Sequence, residues 1–154
     1  MRVLVTGARG FVGRHLVTAL AERGHLVVQA DHVRHDDALQ IDVNDVLAVR
    51  GAVELARPDA IAHLAGQAFV PASIDDPQGT FAVNAAGTLH VLEAVRAWSD
   101  ESGARARVVI VSSADVYGAQ PPAAYPLRET TAPQPANPYA ASKIAAEALG
   151  MAYA

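Results

Sequence analysis

Residues 2–13 read Arg2-Val3-Leu4-Val5-Thr6-Gly7-Ala8-Arg9-Gly10-Phe11-Val12-Gly13. The run from Arg2 to Thr6 is largely apolar and β-branched and stops at a glycine, which is the pattern of a short buried strand. Apolar residues then recur at Phe11, Val12, Leu16, Ala19 and Leu20. That spacing predicts a helix over 11–23, stopped by Gly24. Gly7, Gly10 and Gly13 lie between strand and helix, where glycine permits a tight turn and lets backbone N–H groups approach a bound group.

The alternation continues outward. Residues 25–30 read as a second strand ending at Asp31, residues 32–37 as a polar loop, and residues 39–42 as a short third strand. Asn44 or Asp45 caps a helix running to about Ala56. Residues 60–64 are a fourth strand. Residues 66–78, with Pro71 and Pro77, read as a loop, and residues 79–99 as a long helix, apolar at Phe81, Ala85, Leu89, Leu92 and Val95. The nearly continuous apolar run 107–111 predicts a fifth strand buried on both faces. The Pro- and Ala-rich stretch 118–138 must be a loop over a surface or a site. A last helix spans 139–153. Strands alternating with helices imply right-handed parallel crossovers, hence an α/β, doubly wound, Rossmann-like parallel sheet of strand order 3-2-1-4-5. In such a sheet a ligand sits beyond the carboxyl ends of strands 1 and 4, where the order reverses.

The bulk properties narrow the partners. At 154 residues the chain suffices for one domain with a real core. The formal net charge is −4, which excludes nucleic acid and an anionic membrane as partners. No stretch approaches the roughly 20 apolar residues that span a bilayer. The first apolar run is too short for a secretory signal. The chain has no cysteine, which rules out disulfides and thiolate chemistry and fits a reducing compartment, so the expected location is cytoplasmic.

Two segments carry chemistry. At the first, the glycine trio and the helix N-terminus form a cradle for a pyrophosphate. Asp31 ends strand 2 about where a ribose-binding acid belongs. A carboxylate there accepts hydrogen bonds from ribose hydroxyls and repels a 2′-phosphate, which favours NAD; Arg9 and Arg34 are cations that keep NADP open. At the second, Tyr139 and Lys143 stand four apart and share a helix face. An ammonium beside a phenol stabilises phenolate and makes an acid/base suited to a substrate hydroxyl. A Tyr-x-x-x-Lys pair alone equally describes a solvated helix face, and Ser112-Ser113 at the end of strand 5 equally describe hydroxyls satisfying local backbone. The histidines are scattered. His32 and His35 beside Asp36-Asp37 read as a solvated loop, and no metal site is expected.

Taken together, several ordered motifs resemble the extended short-chain dehydrogenase/reductase superfamily, in particular its NAD-dependent epimerase/dehydratase branch. They are Thr6 to Gly13, Asp31, Asp42-Val43, His63-Leu64-Ala65-Gly66, Asn84 within Val83 to Thr88, Ser112 to Gly118, and Asn137 to Lys143. The resemblance implies that Tyr139 is the acid/base, that Lys143 assists it and binds the nicotinamide ribose, and that Ser113 holds the substrate oxygen. It implies cofactor contacts from Gly7, Arg9, Gly10, Phe11, Val12, Gly13, Asp31, Asp42, Val43, Leu64, Ala65, Gly66, Asn84, Tyr139 and Lys143. Asp42 and Val43 match residues at the adenine. Helices 4 and 5 of this family, the former carrying Asn84, commonly pair across a homodimer.

Within the branch, residues 63–92 resemble the GDP-sugar reductases and dehydratases. Dehydratases of the dTDP-glucose type carry an acidic pair where this chain has Ala114 and Asp115. Ala114 cannot act as an acid, which argues against that subtype. Asp115 aligns with a catalytic glutamate but also reads as a loop acid. A reductase or epimerase needs neither. The resemblance implies a nucleotide-sugar substrate and members about twice this length. The expectation is therefore a truncated chain, with a dinucleotide-binding domain over 1–154 and no separate substrate domain. Two other readings stay open: a dinucleotide-binding module without turnover, and a hydroxysteroid-type dehydrogenase.

Overall fold

The computed structural model describes residues 1–154. It contains five strands, β1 (Arg2–Thr6), β2 (Leu26–Asp31), β3 (Leu39–Gln40), β4 (Ala60–His63) and β5 (Arg107–Ile110). Its helices are α1 (Phe11–Glu22), α2 (Val46–Ala56), α3 (Val70–Asp75), α4 (Pro77–Phe81), α5 (Gly87–Ser102) and α6 (Pro138–Ala152), with a π-helical turn at Ala82–Ala86 and 3₁₀ turns at Ala114–Tyr117 and Pro122–Ala124. All strands pair in parallel, in the order β3-β2-β1-β4-β5. Thr6 stands level with Ala30 on β2 and with His63 on β4. That register brings Gly7, Asp31 and Leu64 together at the carboxyl ends of the three central strands.

The sheet is covered unequally. Leu4, Ala30 and Ile61 pack with Val49, Val53, Val91 and Val95 into the larger core, between the sheet and the helices α2 and α5. Helix α2 forms there because Asp45 caps it, accepting from the N–H groups of Leu47 and Ala48, and because Val49, Ala52, Val53 and Ala56 fall on one face. On the other side Val3, Val5 and Ala8 meet Leu16, Val17 and Leu20 of α1. Burying each such Val or Leu contributes about 1.5–3 kcal/mol.

Four expectations need correction. β5 is not buried on both faces: it is an edge strand paired only with β4, and Val109 is 58% exposed. Its apolar run reflects one covered face, where Ile110 approaches Gly150 of α6. Residues 66–78 are not all loop. Pro71 and Pro77 lie in the first turns of α3 and α4, where proline's missing N–H is not needed, and Asp76 caps α4 by accepting from the Gly79 N–H at 2.9 Å. The long helix therefore begins at Pro77 and ends at Ser102. Phe11 and Val12, read as part of the apolar face of the first helix, are exposed at its start (75% and 59%), and the third strand is shorter than expected. No helix is long and apolar enough to cross a membrane.

Candidate functional site

The glycine turn is shaped by close backbone approach. Gly7 adopts φ +64°, and a Cβ there would lie 2.7 Å from the Ala65 nitrogen. A Cβ on Gly13 would lie 2.2 Å from the Gly7 carbonyl oxygen. The loop after β1 therefore packs directly against the turn after β4, at the point where strand order reverses. Helix α1 starts at Phe11 with Gly10 as its cap residue and no side chain bonded to its first turn. The N–H groups of that turn and its partial positive charge are thus available to an anion.

Asp31 stands beside this turn. It is 4% exposed, and its carboxylate accepts from the N–H of Arg9 at 2.9 Å and of Val33 at 3.3 Å. The His32 Nδ1 lies 3.0 Å from Oδ1, the same oxygen that accepts from Val33. Burial raises its pKa, but the two N–H bonds and His32 outweigh that, and the group is held below the usual carboxylate range. It is an anion at neutral pH. Arg9 extends outward and its guanidinium pairs with Asp37 on the β2–β3 connection. Phe11 and Val12 are exposed at the head of α1. Asp42 is exposed, its side chain accepting from the Asn44 N–H, whereas Val43 is buried and its carbonyl accepts from His90 Nδ1 at 2.8 Å.

The second half of the site is built on α6. Asn137 caps it, accepting from the Ala140 N–H at 2.8 Å. Tyr139 is 8% exposed, and the Lys143 Nζ lies 6.0 Å from its ring centroid, so the two side chains do share a face. Lys143 donates to the Val111 carbonyl at 3.0 Å, and burial pushes its ammonium below its ordinary pKa. The sequence pattern did not single out Ser142, yet it is fully buried, donates to the Tyr139 carbonyl at 2.7 Å and accepts from Asn84 Nδ2 at 2.9 Å. Asn84 also donates to the Gln67 carbonyl and accepts from the Gln67 N–H at 2.8 Å. It therefore ties the turn after β4 to α6, from within the π-helical stretch. Gly66 completes the link: a Cβ there would lie 3.0 Å from Asn84 Oδ1 and 3.6 Å from Lys143 Nζ.

Gly7, Ala65, Gly66, Asn84 and Lys143 are thus one chain of contacts, joining the glycine turn to the Tyr139–Lys143 pair. Leu64 lies at the start of that turn and packs on the Val5 cluster. Ser113 is half-buried, and its hydroxyl accepts from the Asp115 N–H, capping the 3₁₀ turn. Its neighbour Ser112 has a buried hydroxyl with no partner. Asp115 is exposed. One further residue, to which the sequence motif beginning at His63 assigns no role, belongs to the site's wiring. His63 ends β4, is 4% exposed, and hydrogen-bonds Thr6 Oγ1 through Nδ1 at 2.8 Å, while its Nε2 is buried without a partner. Thr6 Oγ1 in turn accepts from the Ala65 N–H. Burial, helped by the Lys143 charge, pushes His63 down to about 4, so it is neutral. Its mark in the sequence is its place at the carboxyl end of a strand, at the head of the His63-Leu64-Ala65-Gly66 motif.

The tight Gly7–Gly13 turn, the uncapped helix start and the buried anionic Asp31 fit a dinucleotide. Comparison with known proteins agrees. The chain is 42% identical over 149 residues to GDP-6-deoxy-D-mannose reductase of Pseudomonas aeruginosa, covering 96% of this chain and 45% of that protein. The crystal structure of Thermus thermophilus UDP-glucose 4-epimerase, a complex with NAD, superposes with a TM-score of 0.87 at 36% identity, over 99% of this chain and 50% of that one. RMD from Pseudomonas aeruginosa, complexed with NADPH, superposes with a TM-score of 0.80 at 38% identity, over 97% and 48%. The chain spans about half the length of the curated relatives it matches. Residues 3–154 match the family described as NAD dependent epimerase/dehydratase, and the chain belongs to that family.

Proposed function

We propose that this chain serves an NAD(P)-dependent oxidoreductase, epimerase or dehydratase acting on a nucleotide sugar, with chemistry like that of a GDP-4-keto-6-deoxymannose reductase favoured. The observation that carries the proposal is the continuous set of contacts from Gly7 through Ala65 and Gly66 to Lys143. It supports a reading in which the glycine turn and the Tyr139–Lys143 pair serve one bound dinucleotide. The choice of sugar rests on the 42% identity to a GDP-sugar reductase.

In this reading Gly7, Gly10, Gly13 and the first turn of α1, with Arg9, Phe11 and Val12 at its mouth, hold the pyrophosphate. Asp31 accepts from the adenosine ribose, with Asp42 and Val43 toward the adenine. Leu64, Ala65, Gly66 and Asn84 line the nicotinamide end. When bound, the dinucleotide supplies a hydride acceptor or donor. Tyr139 exchanges a proton with the sugar hydroxyl or carbonyl oxygen, and Ser113 hydrogen-bonds the same oxygen. Lys143 stabilises the phenolate and holds the nicotinamide ribose. Asn84 and Ser142 keep α6 and the turn after β4 in register. NAD is the favoured cofactor because of Asp31, and NADP is the alternative. A homodimer through α5 and α6 belongs to the same proposal.

The test is turnover of NADH and NADPH with GDP- and UDP-linked keto sugars, comparing the wild type with Tyr139→Phe. A loss of about 100-fold or more in kcat, with dinucleotide binding retained, is expected for the variant. Equal rates would remove Tyr139 from the chemistry. A second reading is a dinucleotide-binding module without turnover; binding with no rate for any sugar supports it.

A further inference from the structure

Arg9 is the one cation inside the glycine turn, and it is already engaged at two levels. Its backbone N–H donates to Asp31, the ribose acid, at 2.9 Å. Its guanidinium donates through Nη2 to Asp37, and its Nε is buried with no partner. The Arg9 side chain is 30% exposed, while the Asp37 carboxylate is 66% exposed and sits on the connection between β2 and β3. The pair is thus a surface tether thrown from that connection onto the turn, on the side where Asp31 lies. The charges nearby lean negative: Asp31, Asp36 and Asp37 against Arg9 and Arg34.

A phosphate at the ribose 2′ position adds further negative charge and needs a guanidinium. Arg9 is the guanidinium of the turn whose own N–H bonds Asp31, and an internal carboxylate holds it. We propose that Asp37 sets the choice between NAD and NADP: it acts as a built-in counter-ion for Arg9 that a 2′-phosphate must displace, whereas a free 2′-hydroxyl leaves the pair intact and bonds Asp31. The Arg9 hydrogen bond also holds the Asp37 carboxyl below its usual range, so the tether keeps its charge at neutral pH. This inference rests on the cofactor reading above and adds the residue that tunes it. Discrimination is then divided between two carboxylates. Asp31 repels the 2′-phosphate, and Asp37 withholds its partner.

The test titrates the 154-residue protein with four probes: NAD, NADP, 5′-AMP and adenosine 2′,5′-bisphosphate. Asp37→Asn keeps the size of an exposed side chain and removes its charge. The expected result is a rise of about tenfold in affinity for the two 2′-phosphorylated probes, with NAD and 5′-AMP changing by less than about twofold. Adding Arg9→Gln to Asp37→Asn removes the gain, since the Arg9 N–H to Asp31 is a backbone bond and survives. An unchanged NADP:NAD ratio in Asp37→Asn, while the wild type binds NAD, overturns the inference and leaves the cofactor reading standing. A gain that persists without Arg9 also overturns it. A wild type that binds none of the four probes overturns the cofactor reading and this inference with it.

Discussion

The buried histidine at the end of β4 makes an acid-stability prediction. His63 is held at about 4, against an ordinary 6.5. Its folded-state value is depressed, so between these two pH values the unfolded chain binds more protons than the folded one, and stability falls as pH falls. The stabilisation is fully present above pH 6.5, is lost progressively down to pH 4, and amounts to about 3 kcal/mol in total. By pH 4.5 about 2.5 kcal/mol of it is gone. Asp31 and Asp37 do not share this window. Both are held below 3.8, so their contributions persist at pH 4.5 and disappear only as pH falls through their lower folded values.

The assay is urea unfolding followed by circular dichroism at pH 7.5, 6, 5 and 4.5, for the wild type and His63→Gln. The variant loses stability at neutral pH through its altered bond to Thr6, but its dependence on pH between 6.5 and 4.5 flattens. The difference of slopes isolates His63 from every other group. If both proteins lose stability in parallel across that window, the imidazole is reached by solvent and the burial of His63 at the end of β4 is wrong.

Other perturbations follow from the same contacts. Gly13→Ala puts a Cβ 2.2 Å from the Gly7 carbonyl oxygen; we expect a loss of about 3 kcal/mol or more, with weakened NAD binding, and a wild-type melting curve would contradict the close approach. Asp31→Ala weakens NAD binding by about tenfold or more in a calorimetric titration, and unchanged affinity would take Asp31 out of the site. Asn84→Ala strands the Gln67 backbone groups in a buried setting and costs about 2–4 kcal/mol by denaturant titration; a change near zero would show that the link between the turn after β4 and α6 does not depend on this amide.

The glycine turn was legible because it is local, and the strand order because alternating strands and helices cross over with one hand. An apolar run ending in glycine, followed by helical spacing, specifies its own turn, and Asp31 falls at the end of the next strand by simple alternation. Pro71 and Pro77 misled because proline marks loops and helix starts alike, and only the Asp76 cap, seen in space, distinguishes them. The apolar run of β5 misled because periodicity records which residues are apolar and not what covers them. The contacts of Ser142 with Asn84, of His63 with Thr6, and of Arg9 with Asp37 join residues 58, 57 and 28 positions apart. No spacing rule reaches that far, so the polar wiring behind Tyr139 and Lys143 became visible only in the fold.

The most direct measurement is a crystal structure of the chain grown with NAD. The account places the pyrophosphate over the Gly7–Gly13 turn, the adenosine ribose on Asp31, and the nicotinamide ring between the Ala65–Gly66 turn and the Tyr139 hydroxyl. A dinucleotide bound elsewhere, or a nicotinamide ring remote from Tyr139 and Lys143, would contradict it.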